Sequence, residues 1–95
     1  MVKLTEIYQD SMSPSARVRQ VYINPAHVVM VREDVTFTTM LHEGRLRELG
    51  VEPAMSFSRV SVRNGGTGNY EITVFGDTES VYEKIRSSQK SLLKG

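Results

Sequence analysis

Tyr22-Ile23-Asn24-Pro25-Ala26-His27-Val28-Val29-Met30-Val31 joins two apolar, β-branched runs at an Asn-Pro corner. Residues of this shape favour extended chain. Pro25 cannot donate to a ladder, and it biases Asn24 away from helical geometry, so strand pairing must stop at the corner. The segment reads as the centre of a small sheet, with the other strands added around it. Before the corner, Arg17, Arg19, Val21 and Ile23 share one face, and Val18, Gln20 and Tyr22 share the other. After it, Val28, Val29, Met30 and Val31 are apolar on both faces, so this strand is expected to be covered on both sides. A helix would cover one side, and the folded-over sheet or a second subunit the other.

The clearest neighbouring signal is a hairpin. Val60 and Val62 alternate with Arg59, Ser61 and Arg63, and Tyr70, Ile72 and Val74 alternate with Glu71, Thr73 and Phe75. Between them, Asn64-Gly65-Gly66-Thr67-Gly68-Asn69 supplies glycines for the positive φ values of a tight turn. A helix follows. Asp77 suits an N-cap and Glu79 the first turn, and Val81, Ile85, Ser88 and Leu92 recur at helical spacing. Lys84, Arg86, Lys90 and Lys94 gather toward its C-terminal half, where the helix dipole favours cations. The apolar stripe thins after Ile85.

The remaining segments are less sharply marked. Val2 to Tyr8 reads as an N-terminal strand, and Gln9 to Ala16, with Ser13 and Pro14, as a loop. Val35-Thr36-Phe37-Thr38-Thr39-Met40 has the composition of another strand. Leu41 to Ala54 reads as a long excursion, with one helical turn around Leu46 and Leu49, Gly50 as a stop and Pro53 ending anything helical. Excursions of this kind can serve as binding lids. The expected fold is α+β: one domain over residues 1–95, a mostly antiparallel sheet of five to six strands, and one C-terminal helix over about residues 77–93 packed on it.

Two blocks are similar to a known family. Val2-Lys3-Leu4-Thr5 with Val21-Tyr22-Ile23-Asn24-Pro25 and Val28-Val29-Met30-Val31-Arg32-Glu33 resembles the start of the FlbD-like flagellar and swarming motility family. Tyr70-Glu71-Ile72-Thr73-Val74, running through Asp77 to Ile85, resembles its ending, a strand leading into a capped helix. Asn24-Pro25 falls on the family's Asn-Pro, and Asp77 on its capping serine. The match covers about half the chain. The first loop, the stretch from Val35 to Ser56 and the basic tail after Ile85 are expansions. The resemblance implies a non-enzymatic accessory protein.

Composition narrows the function classes. Twelve basic and eleven acidic residues leave a net charge of +1, without the basic excess of a typical nucleic-acid binder. The chain has no cysteine, which excludes disulfides, thiolate nucleophiles and cysteine-ligated zinc. Its start carries no long apolar core, and its apolar runs are far shorter than a membrane span. A soluble, cytoplasmic protein is expected, with no membrane association.

No catalytic or cofactor signature stands out. His27 and His42 have no partner at metal-ligand spacing, the serines lie in no nucleophile elbow, and Gly65-Gly66-Thr67-Gly68 precedes a strand rather than a helix. No catalytic residue, metal or cofactor is assigned. The main polar feature is alternating arginine: Arg17 and Arg19 on one strand, and Arg59 and Arg63 flanking Ser61 on another. On one sheet face these would form a binding patch for phosphate or carboxylate. The alternative is a solvated face with arginine paired to Glu71 across the hairpin. The leading expectation is a homo-oligomeric interaction protein, an adaptor or regulator that binds another protein. A nucleic-acid-binding regulator using the arginine face and a small-ligand or nucleotide binder are the alternatives. Val28 to Val31 offers more apolar surface than one thinning helix can bury, so this strand or the helix beside it is expected to meet a second subunit or partner.

Overall fold

The computed structural model describes residues 1–12, 15–52, 54–66 and 68–94, with side chains as far as residue 90. The loop residues Ser13 and Pro14, the helix stop Pro53, Thr67 of the hairpin turn and the side chains of Leu92, Leu93 and Lys94 lie outside the described residues.

Five strands, β1 (Val2–Gln9), β2 (Ala16–Ile23), β3 (Val28–Glu33), β4 (Phe57–Arg63) and β5 (Asn69–Phe75), form one antiparallel sheet. Its spatial order is β2-β1-β5-β4-β3. Helix α1 (Val35–His42) follows β3, and helix α2 (Thr78–Lys94) ends the chain. The fold is a small α+β arrangement, as expected, with the β4–β5 hairpin where the alternation puts it.

The corner is not the centre of the sheet. β2 and β3, which it joins, are the two opposite edges, and β5 lies in the middle. Asn24 accepts from the Ala26 amide through its side chain, and residues Pro25–His27 make a single 3-10 turn. The five residue steps from Ile23 to Val28 reach at most about 18 Å. Four spacings of a flat sheet would need about 19 Å with no allowance for the turn. The sheet must therefore curl to bring its edges toward each other. The strand pairing agrees: β1 pairs with all of β2, but meets β5 only at Glu6 and Ile7.

Each face of the curled sheet has its own core. Val2, Leu4, Ile23, Val60, Val62 and Val74 pack against Val81 and Ile85 of α2. On the other face, Ile7 and Phe57 pack with Phe37, Met40 and Leu46 from α1 and the excursion. Phe57 is fully buried and meets Phe75 edge-on, with ring centroids 5.1 Å apart. Gly76 joins β5 to α2 at φ 118°, and a Cβ there would lie 3.1 Å from the Val81 side chain. Glycine is thus required by both conformation and space.

The segment from Val35 to Met40 is a helix, not the strand its composition suggests. Asp34 caps it, accepting from the Phe37 amide at 2.8 Å. The Thr38 hydroxyl donates to the Asp34 carbonyl at 2.6 Å, a bond that lets threonine sit in a helix. Phe37 and Met40, three apart, then share the buried side. In the excursion, Arg47–Leu49 form one 3-10 turn that Gly50 ends at φ 64° in the left-handed region, as its sequence suggests.

Candidate functional site

β3 is an edge strand: it pairs with β4 on one side only. Among the described residues, no strand lies along its other side. A register shift between Val28 and Met30 inserts Val29 as an extra residue. Val28 and Val31 pack partly against the α2 core, while Val29 and Met30 remain 49% and 44% exposed. The expectation that this strand is covered on both faces does not hold in the single chain. One face has α2 beside it and the other leaves Met30 open.

α2 borders β3 without closing over it. Asp77 accepts from the Ser80 amide at 2.7 Å and starts the helix. These Ser80 hydrogen bonds hold the Asp77 carboxyl below its ordinary pKa of 3.8. Val81 and Ile85 point into the core, and Tyr82, one residue round from Val81, stays 57% exposed. Between helix and strand lies an open groove of about 500 Å³, lined by Pro25, Val28, Val29, Val31, Tyr82 and Ile85 among others. Pro25, buried at the corner, is part of that lining.

A polar network fixes β3 from the opposite face. Asp34 is 1% exposed and continues the ladder beyond Glu33, its amide donating to the Phe57 carbonyl at 3.0 Å. One carboxylate oxygen caps α1. The other accepts from Thr73 at 2.8 Å and from Arg59, whose nearest nitrogen is at 3.0 Å. Arg59 also reaches Glu71 at 3.4 Å, and Glu71 meets Arg32 of β3 at 3.4 Å and the Ser61 hydroxyl at 3.3 Å. A buried carboxylate costs several kcal/mol unless it is paired and hydrogen-bonded. Here the cost is met by joining β3, β4, β5 and α1 at one point. Asp34 and its role were not singled out from the sequence, although an aspartate before an apolar i, i+3 pair is a helix-start signal.

The arginines do not form one patch. Residues paired across strands share a face, so Arg19, Glu6, Val74 and Ser58 lie on the α2 side. Arg17 joins them there. Arg59, Ser61 and Arg63 alternate with Ser58 and lie on the other side, three strands away from β2. The strand pairing thus corrects the idea of four guanidinium groups on one face. Arg19 donates to Glu6 at 2.7 Å and lies 4.1 Å from the Tyr8 ring centroid. Glu6 raises the pKa of Arg19 above its ordinary value through that hydrogen bond and its charge. Arg59 and Ser61 are tied to Asp34 and Glu71, so the alternative pairing of arginine with Glu71 is the one present.

Among the described residues, no cluster of three or more His, Asp and Glu is arranged to hold a metal ion, and no helix is long and apolar enough to cross a membrane. No family model, curated protein or solved structure matches this chain.

Proposed function

We propose that this chain is a small non-enzymatic interaction protein, an adaptor or regulator that binds another protein through the β3 edge and the groove beside α2. The observation that carries the reading is the coincidence of two unmet needs at one place. β3 has an unpaired backbone edge, and the apolar side chains next to it, Val29, Met30 and Tyr82, are about half exposed. A partner strand laid along the edge would satisfy the first and cover Met30 on the far face, and side chains entering the groove would cover Val29 and Tyr82. Completing the burial of three such side chains is worth roughly 3 kcal/mol before association entropy is counted. The ladder adds register.

The reading needs no cofactor. The resemblance to the FlbD-like family also favours an accessory rather than a catalytic role. A nucleic-acid reading loses its main support, because the arginines lie on two faces and Arg59 is engaged by carboxylates. The test is affinity capture from the native host with wild-type and Val29→Lys baits, followed by identification of the captured proteins. Partners retained by wild type and lost by Val29→Lys are expected. The same partners on both baits would place binding elsewhere, and no specific partner on either would remove the adaptor reading.

A further inference from the structure

We infer that the occupant of the β3 edge and groove is a second copy of this chain, paired antiparallel to the first through β3 and α2. This rests on the protein-binding reading of the same site and names its partner.

The charges of α2 are ordered along one stripe. Glu79 lines the groove, Glu83 and Arg86 follow it along a shallow hollow beside Tyr82, and Lys90 continues the same stripe at helical spacing, so acids occupy the N-terminal half and bases the C-terminal half. Reversing the helix about a point between Lys84 and Ile85 exchanges Glu79 with Lys90 and Glu83 with Arg86. One two-fold axis therefore sets acid against base at both positions. A parallel arrangement would set like charges together. Glu83 and Arg86 already pair within the chain at 2.8 Å, so the outer pair, Glu79 and Lys90, carries the discriminating charge. They are eleven residues apart, about 16 Å along a helix, and cannot meet within one chain.

The same axis suits β3. The Ser58 hydroxyl donates to the Gly76 carbonyl, and Ser58 pairs with Glu33, so α2 starts level with the Glu33 end of β3. The midpoint between Lys84 and Ile85 lies about 11 Å along the helix from Asp77. The centre of β3, near Val31 and Met30, lies about 7 to 10 Å from Glu33. The two midpoints are level within the tilt of a helix on a sheet. An antiparallel β3 pair centred there keeps each residue on its own face, as a two-fold axis perpendicular to the sheet requires. Centred on Val31, it sets Arg32 opposite Met30, both on the face away from α2, so no like charges face each other in the ladder. Val31 of each copy then meets at the axis, with Val29 two residues from it and Tyr82 on the α2 side of the seam.

Light scattering on the purified chain at the highest soluble concentration should give twice the 10.7 kDa monomer mass. Val29→Lys should yield monomer that keeps the folded far-UV circular dichroism spectrum, its melt lowered only by the lost association. Glu79→Lys and Lys90→Glu should each weaken the dimer about fivefold, and the double variant should recover most of that loss. A wild-type monomer, a dimer that survives Val29→Lys, or a double variant no stronger than the singles would overturn the pairing. If the wild type is monomeric while Val29→Lys still loses captured partners, self-pairing fails and the protein-binding reading stands. If both measurements are unaffected by Val29→Lys, both fail.

Discussion

The two edges of the sheet share an unpaired backbone and differ in how it is protected. β2 is eight residues long and presents Arg17, Arg19 and Gln20, with Val18 and Tyr22 also exposed. Its Arg19 is fixed against Glu6 and over the Tyr8 ring. Held charges on an edge oppose the approach of another strand, which would have to desolvate them. β3 is six residues long, presents Val29 and Met30, and has an apolar groove beside it. Its protection is limited to the irregularity at Val29 and the charges of Arg32 and Glu33 at one end. Both edges leave apolar side chains open between their charges, and β3 is the one that lies next to a helix with an unfilled side. The difference between the edges is therefore the groove beside β3 and the held Arg19 on β2.

The contrast depends on β3 being held in place, so the largest effect is expected at Asp34. Asp34→Ala removes the α1 cap and leaves Arg59 and Thr73 without their carboxylate. It should cost roughly 3 kcal/mol in urea unfolding. A loss under about 1 kcal/mol would mean that the network contributes little to the position of β3.

Lysine placed on each edge in turn tests the contrast directly. Val29→Lys should abolish association, whereas Val18→Lys on β2 should leave it unchanged, with each variant within about 0.5 kcal/mol of wild-type stability. Equal losses of association would show that the edges are equivalent. The converse change, Arg19→Val, removes the guard of β2 and leaves Glu6 without its cation. Concentration-dependent aggregation that Val29→Lys does not suppress is the expected outcome, read by light scattering. A variant that stays soluble would mean that the Arg19 pair is not what protects that edge.

The smallest effect concerns acid. Asp77 and Glu83 are both held below their ordinary pKa values, Asp77 by hydrogen bonds from Ser80 and Glu83 by hydrogen bonds from Arg86. The unfolded chain therefore binds more protons than the folded one as pH falls through the ordinary carboxylate range, near pH 4. Their contribution to stability is present above that range and is lost as pH falls through the lowered folded values. Asp77→Asn keeps a capping oxygen, so its melting temperature at neutral pH should stay close to wild type and fall less steeply below about pH 4. An unchanged acid slope would assign the effect to other carboxylates.

How much of this could be read in the sequence differs by region. The β4–β5 hairpin was fully legible, because period-two alternation and a glycine-rich turn are local signals that agree. The α2 start was legible for the same reason, since a cap and an apolar repeat coincide. α1 was misread because Val35, Thr36, Thr38 and Thr39 are β-formers by shape, whereas the bonds that override this preference come from Asp34. The roles of β2 and β3 were misread for a different reason. Apolarity on both faces suggests a central strand, but it is equally what an edge strand carries when one face packs on the core and the other lies open. Nor does any local pattern tell which face of the sheet a strand's odd positions occupy, so the arginines could be separated only through strand order and register.

The Asn-Pro corner also constrains how the chain can fold. The β1–β2 hairpin and the β3–β4–β5 meander each form from neighbours in space and, apart from the excursion, in sequence. They are sewn together by the short corner at one end and by Glu6 and Ile7 against Val74 and Thr73 at the other. The β1–β5 contact joins distant parts of the chain and carries a large loop-closure cost until both halves exist, after which the corner shortens the effective loop. The seam should therefore close late. Ile7→Val should speed unfolding and leave the refolding rate nearly unchanged in stopped-flow measurements, and slower refolding would instead put the seam in the folding nucleus.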